Sequence, residues 1–289
     1  MAHWRSLSAA RRHAFAQATP DTEEETVADQ PLEEQVLHRV TDRVAWITLN
    51  RPEVRNALDG QTVTELEAAF TELGATARAI LVEGAGDHFC AGADLRHVAR
   101  AREDPALLRG FIARINGAFD AIERCPAPVI AAVQGYALAG GFELMQACDL
   151  VLVADDAVIG DQHANFGLIP GGGGSQRLPR LVGRQRALGL LLTGERLGAA
   201  ETVAWGLALR VVPPELLGAE AAALAGRLAA LSRSGLARMK RLVDEGALLS
   251  LDRAIALESE VFMEHMGDPD VDEGLRAFAE RRRPVFAGA

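Results

Sequence analysis

The chain has 289 residues, of which 49% are hydrophobic, and a formal net charge of -10. Its pI of about 5.3 argues against nucleic acid as a partner. No stretch reaches the ~20 apolar residues of a membrane span, so we expect no membrane partner either. The three cysteines, Cys90, Cys125 and Cys148, are widely spaced. They predict neither a disulfide framework nor a zinc site, and they fit a reducing cytoplasm.

Residues 1–35 differ in composition from the rest of the chain. They start with arginines and no acid, as mitochondrial transit peptides do, and turn acidic from Asp21 to Glu25. The alternative is a loosely structured tail, which the alanine-rich, lysine-poor, bacterial-looking composition favours. We predict a flexible extension over residues 1–35.

From Val36 onward, strand patterns alternate with helical patterns. Short apolar runs bounded by turn signals predict strands at 36–40, 44–49, 79–83, 129–133, 150–154, 157–160 and 209–212. Helical periodicity predicts helices at 60–73, 105–125, from 140, from 175, 199–205, 216–231, 234–249, 251–265 and 271–282. The chain is therefore predicted to form an α/β core over 36–214 and an α-helical C-terminal subdomain over 215–289.

The residues that most clearly indicate a chemical function lie in the stretch from Gln134 to Leu150. Gly140 and Gly141 open a predicted helix, and Glu143 follows on the same side of it. Glycine lets backbone N–H groups come close to a ligand, and a helix N-terminus offers unpaired donors. Donors of this kind can form an oxyanion hole, and a carboxylate beside one suits proton transfer next to a carbonyl.

Four segments, taken together, resemble one protein family. They are ITLNRPEVRNAL (47–58), FCAGADLRHV (89–98), AAVQGYALAGGFELMQACDL (131–150) and FGLIPGGGGSQRLPRLVG (166–183). Their order and spacing resemble the crotonase superfamily, the enoyl-CoA hydratase/isomerase family, over about residues 36–286. The resemblance implies a crotonase-like spiral of ββα units, a helical C-terminal subdomain used for oligomerisation, and a homotrimer or dimer of trimers. It implies an acyl-CoA substrate and no metal or redox cofactor, with coenzyme A arriving as part of the substrate.

The resemblance also implies roles for individual residues. It assigns an oxyanion hole for the thioester oxygen to the N–H groups of Ala93 and Gly140, and it makes Glu143 the principal acid/base. The second glutamate of the family's hydratases falls on His163, so this chain departs from the two-glutamate pattern at a chemically decisive position. Contacts with the acyl-CoA are expected from a further set of residues: Arg55, Ala57, Ala91, Asp94, Leu95, Arg96, Gly141 and Arg282.

The histidine at position 163 leaves several reactions open. With an ordinary pKa near ~6.5, it can act as acid or base beside Glu143, and hydration of a 2-enoyl-CoA is the leading prediction. The same change can mark isomerisation, thioester hydrolysis, decarboxylation or C–C cleavage, and a non-catalytic trimeric scaffold is a third class. Asp161 could join His163 if the loop bends, an arrangement that we rank lower.

Two further features are predicted to be structural. The glycines at 171–174 invite comparison with a phosphate loop, but the Lys-Ser/Thr pair of a Walker motif is absent, so we predict a turn before a helix. Cys90 and Cys148 are predicted to be core thiols rather than nucleophiles.

Overall fold

The computed structural model describes residues 34–286. Most of the extension predicted over 1–35 therefore lies outside the described residues. Within the described range, none of the helices is long and apolar enough to cross a membrane.

The strands form two sheets. In the described residues they are β1 Val36–Thr41, β2 Val44–Leu49, β3 Ala79–Gly84, β4 Val129–Val133, β5 Tyr136–Leu138, β6 Leu150–Ala154, β7 Val158–Gly160, β8 Leu197–Gly198 and β9 Arg210–Val212. The larger sheet has the order β1-β2-β3-β4-β6-β9, and the smaller has the order β5-β7-β8. The larger sheet is parallel except for the hairpin of β1 and β2, whose turn residues Asp42 and Arg43 both have positive φ.

The helices lie between and after the strands. In the described residues they are α1 Gly60–Gly74, α2 Leu95–Ala101, α3 Pro105–Glu123, α4 Gly140–Ala147, α5 Gly174–Val182, α6 Arg184–Thr193, α7 Ala199–Ala204, α8 Leu217–Ala229, α9 Arg233–Gly246, α10 Leu251–His265 and α11 Pro269–Ala279. The last four follow the final strand, so the predicted combination of an α/β core with a helical C-terminal region is confirmed.

The larger sheet separates two hydrophobic clusters, because successive side chains of a strand point to opposite faces. On β3, Ile80 and Val82 face the cluster that contains α1, α3 and α4, whereas Ala79 and Leu81 face the cluster formed with α8. All four side chains are fully buried. The sheet is therefore covered on both sides, as its parallel strands require.

The turn after β3 connects the two sheets at the place where the candidate active site lies. Residue 90 forms an isolated parallel bridge with Ala137 of β5, and Ala93 forms one with Leu58. The Cys90 N–H donates to the Tyr136 carbonyl, and the Leu138 N–H donates back to the Cys90 carbonyl. These bonds hold the 90–93 segment next to the start of α4.

Several elements differ from the sequence-based expectation. The strands β5 and β8 and the helices α2 and α6 were not predicted, and α11 begins two residues earlier and ends three residues earlier than expected. Helix α2 has seven residues and buries only Ala101, so it lacks the apolar stripe from which helices were predicted. It is stabilised instead by Asp94, whose side chain accepts hydrogen bonds from the first N–H groups of the helix.

Candidate active site

Two backbone segments approach each other closely where the oxyanion hole is predicted. A Cβ built on Gly92 would lie 2.9 Å from the Leu138 carbonyl oxygen, and one on Gly140 would lie 3.2 Å from the Ala93 nitrogen. Glycine permits this approach without a steric clash, and Gly92 also has φ of +109°, which favours glycine. Within residues 34–286, neither the Ala93 N–H nor the Gly140 N–H donates to a protein acceptor. The two predicted donors are therefore neighbours, and both are available to a ligand.

Ala139 precedes α4 in a strained conformation. Its φ of 48° and ψ of -116° lie in a region that normally only glycine adopts. Its N–H donates to the Gly160 carbonyl at 3.0 Å, and its own carbonyl accepts from the Glu143 N–H at 2.9 Å. Hydrogen bonds on both sides hold the residue in this conformation, which joins the end of β7 to the beginning of α4.

The Glu143 side chain is almost completely buried, with 2% of its surface exposed. Its Oε1 accepts hydrogen bonds from the Gly172 N–H at 2.9 Å and from the Gly174 N–H at 2.8 Å. Burial raises the pKa of this carboxyl, while the Gly174 hydrogen bond and the charge of His163 work in the opposite direction. A carboxyl with a raised pKa can accept and return a proton more readily near neutral pH.

The glycine run at 171–174 is shaped around this carboxylate. A Cβ at Gly172 would lie 2.7 Å from Phe119 Cε2 and 3.0 Å from Glu143 Oε2, and one at Gly174 would lie 2.9 Å from Glu143 Cγ. The sequence predicted only a turn before a helix at this run. The turn is present, and it also supplies both of the amides that hold Glu143.

His163 contacts Asp161 through the ring and the backbone. Its Nδ1 lies 3.0 Å from each carboxylate oxygen of Asp161, and its N–H donates to Oδ1 at 3.0 Å. Asp161 is 1% exposed, and the chain turns at Gln162, with φ of -112° and ψ of 2°, just before the short 3-10 helix His163–Phe166, so that the two side chains meet. The arrangement that we ranked lower from the sequence is the one found. Burial lowers the pKa of His163, but the hydrogen bond and charge of Asp161, with the charge of Glu143, outweigh burial and raise it overall.

The residues predicted to contact acyl-CoA near the first motif lie side by side. The Ala91 N–H donates to the Arg55 carbonyl at 2.9 Å, and the Arg55 guanidinium is exposed, 5.6 Å from the ring centre of Tyr136. The Ala57 carbonyl accepts from Arg51 Nη1 at 2.6 Å. These positions fit the prediction without testing it.

The remaining residues predicted to contact acyl-CoA differ in exposure and in their partners within the chain. The Asp94 carboxylate pairs with Arg51 at 3.2 Å and accepts the Arg96 N–H at 2.9 Å, so it already has partners within the chain. Leu95 and Arg96 are exposed, whereas Gly141 is buried where a Cβ would overlap the Cys90 carbonyl. The exposed Arg282 pairs with Glu273 and Glu280. Their roles toward a substrate stay predictions.

Cys90 is a buried thiol and Cys148 a half-buried one. Burial raises the pKa of Cys90 to about 12 and also raises the pKa of Cys148. Both groups are therefore neutral at physiological pH, which agrees with the prediction that they are not nucleophiles.

Replacing the strained Ala139 by glycine is expected to stabilise the protein. Relief of backbone strain, of order 1–3 kcal/mol, should exceed the entropic cost of about 0.5–1 kcal/mol for glycine. We expect Ala139→Gly to raise the free energy of unfolding by about 1 kcal/mol in urea titration. Ala147→Gly, in the same helix α4, is the matched control and should lower it by about 1 kcal/mol. A loss of stability in both variants would contradict the strain assigned to Ala139.

Comparison with known proteins supports the family resemblance of the sequence motifs. Residues 39–289 match the family model described as enoyl-CoA hydratase/isomerase. The chain is 38% identical over 255 residues to a protein of Mycobacterium tuberculosis named "Probable enoyl-CoA hydratase", covering 88% of this chain and 98% of that protein. It is 36% identical over 256 residues to the crotonyl-CoA hydratase of Syntrophomonas wolfei, with the same coverages of 88% and 98%.

Solved structures support the same family relationship. The crystal structure of an enoyl-CoA hydratase from Bacillus anthracis superimposes with a TM-score of 0.84 at 35% identity, covering 88% of this chain and all of that chain. The predicted crotonase fold is therefore confirmed. By its motifs, its fold and its relatives, the chain belongs to the enoyl-CoA hydratase/isomerase family of the crotonase superfamily.

Proposed function

We propose that the protein hydrates a 2-enoyl-CoA through an enolate held by the N–H groups of Ala93 and Gly140. The observation that carries this proposal is the buried Glu143 carboxylate in the first turn of α4, held by the backbone amides of Gly172 and Gly174 from the turn that leads into α5. Burial and orientation of this kind suit a proton-transfer group in a pocket next to a carbonyl.

The first step adds the oxygen of water. Glu143 Oε2, which accepts no hydrogen bond from a described residue, orients a water molecule and takes its proton. The water oxygen attacks C3 of the enoyl group, and the C2=C3 electron pair shifts toward the thioester. Negative charge then develops on the thioester oxygen, where the two N–H groups stabilise it; one such donor contributes on the order of 3 kcal/mol to lowering a barrier.

The second step delivers a proton to C2. His163, protonated through its contact with Asp161, donates the proton from Nε2, and the enolate returns to a thioester. Glu143 now carries a proton and His163 is neutral. Transfer of that proton through water restores the starting state, so the two groups act as a base and acid pair.

A second candidate reaction is thioester hydrolysis. A histidine whose Nδ1 faces a buried carboxylate is also arranged to activate water as a base. In that case water attacks the thioester carbon instead of C3, and free coenzyme A is released. The two reactions use the same oxyanion hole and differ in product.

The first test measures both products. We expect purified protein to remove the enoyl absorbance of crotonyl-CoA without releasing free thiol, and Glu143→Gln to lower kcat on the order of 10²- to 10⁴-fold. Glu245→Gln, on the exposed surface of α9, is the matched control and should leave kcat unchanged. Thiol release would favour hydrolysis. If short and long enoyl-CoAs neither lose their enoyl absorbance nor release thiol, both reactions are excluded.

The second test uses pH. Hydration requires ionised Glu143 and protonated His163, so kcat should fall below the raised pKa of Glu143 and above the raised pKa of His163. In Asp161→Asn the imidazolium loses its partner, so the alkaline limb should move to lower pH by about one unit or more. The acid limb should also move lower, because Asp161 raises the pKa of Glu143. Asp156→Asn, on the exposed turn before β7, should move neither limb. An alkaline limb that stays in place in Asp161→Asn would exclude His163 as the acid.

Assembly and compartment complete the proposal. Large apolar side chains are exposed on Phe166, Ile169, Phe262 and Phe278, and exposed apolar surface marks interaction sites. These side chains are available for subunit contacts in the homotrimer or dimer of trimers that the family resemblance implies, and the three free cysteines support a cytoplasmic location. We expect light scattering to give a mass of three or six times the 30.8 kDa of one chain; a monomeric mass at micromolar concentration would contradict the proposal.

A further inference from the structure

Arg177 of α5 makes contacts that the proposed reaction does not use. Its Nε and Nη2 donate to the two carboxylate oxygens of Glu123 at 2.6 and 2.8 Å, and its Nη1 donates to the Gly172 carbonyl at 2.5 Å. Glu123 is the last residue of α3. Because a guanidinium is planar, this two-point pairing fixes its orientation as well as its position.

The Gly172 carbonyl lies between the two amides that hold the candidate acid/base. The Gly172 N–H precedes it in the chain and the Gly174 N–H follows it, and both donate to Glu143 Oε1. Arg177 therefore holds the central peptide of the turn by its carbonyl oxygen, while the amides on either side of that carbonyl hold Glu143. Movement of that peptide would carry at least one of the two donors away from the carboxylate.

The turn is built to admit this guanidinium. Gly173 has φ of +94°, and a Cβ there would overlap Arg177 Nη1. The guanidinium carbon lies 5.9 Å from the ring centre of Phe119, the residue against which Gly172 packs. With its side chain 17% exposed, Arg177 is largely shielded from the water that would otherwise weaken its hydrogen bonds.

We propose that Arg177, anchored by Glu123, is a positioning residue that keeps the amides of Gly172 and Gly174 on the carboxylate of Glu143. It neither contacts the substrate nor transfers a proton. The inference rests on the proposed function, in which Glu143 is the acid/base. Its simpler competitor is an ion pair that only joins α3 to α5, without effect on the ionisation of Glu143.

The two accounts differ in the titration of Glu143. His163 and Asp161, from the segment after β7, shift the pKa of this carboxyl, and the charge of Glu143 in turn raises the pKa of Arg177 from α5, so the two charges interact. Without Arg177, the carboxylate loses a nearby cation and its amide donors loosen, and both changes favour the protonated form. The titration midpoint of Glu143 should therefore rise, whereas a purely structural ion pair would leave it in place.

The decisive measurement needs no substrate. In protein with ¹³C-labelled glutamate carboxyls, the Glu143 signal is identified by its absence in Glu143→Gln and followed against pH. We expect the midpoint to rise by about one unit in Arg177→Met and by less in Arg177→Lys, which retains the charge. Glu123→Gln, which leaves Arg177 charged but loosens its anchor, should also raise it.

The control is another ion pair of the chain. Arg210→Met breaks the pair of β9 with Glu220 of α8 and should leave the Glu143 midpoint unchanged. If Arg177→Met fails to fold, as judged by circular dichroism, Arg177→Lys and Glu123→Gln decide the question. An unchanged Glu143 midpoint in the folded variants overturns the proposal, whatever happens to their melting temperatures.

An activity measurement separates this inference from the proposed function. If the wild-type protein hydrates crotonyl-CoA, Arg177→Met should lower kcat about ten- to a hundredfold, change KM little, and move the acid limb of kcat to higher pH with the Glu143 midpoint. Lowered kcat with an unmoved acid limb would contradict a positioning role. If the wild type hydrates no enoyl-CoA, the proposed function fails, while the carboxyl titration still tests the effect of Arg177 on Glu143.

Discussion

The candidate site depends on keeping one carboxylate ionisable although it is almost completely buried. Glu143 is 2% exposed, and removal from water favours its neutral form. Two amide hydrogen bonds to Oε1 and the charge of His163 oppose that tendency. Because both amides bond Oε1, Oε2 accepts no hydrogen bond from a described residue, and the proposed mechanism uses this oxygen to orient the reacting water molecule. Position and proton affinity are thus set by the same contacts.

The chain meets this requirement mainly with backbone atoms. The donors of the predicted oxyanion hole are the N–H groups of Ala93 and Gly140, and the donors to Glu143 are those of Gly172 and Gly174. Backbone donors cannot change rotamer, so their geometry is as rigid as the fold that carries them. The cost is conformational: Ala139 adopts backbone angles that favour glycine.

Sequence reasoning succeeds where a signal is local and fails where partners come from distant segments. The apolar stripe of α1 and the runs of β3 and β4 predict those elements to within a residue or two. Glu143 is identifiable because its motif is contiguous. The contacts of Gly172 and Gly174 with Glu143 join residues about thirty positions apart, and nothing in a glycine run states which side chain its amides will meet. The bend that joins Asp161 to His163 is equally invisible before folding.

In the proposed mechanism, the Asp161–His163 pair takes the role that the family resemblance assigns to a second glutamate. Two glutamates that share a buried site cannot both be ionised easily, so one holds a proton that it can deliver and the pair carries one negative charge. A lone protonated histidine in that place would cancel the charge of Glu143. Asp161 restores the balance: the carboxylate and the imidazolium together are neutral and carry one transferable proton, as a protonated glutamate does. Asp161 is buried and bonds both the ring and the backbone of His163, so under the proposed mechanism a histidine at this position keeps the charge and proton content of a protonated glutamate and changes only the atom that donates.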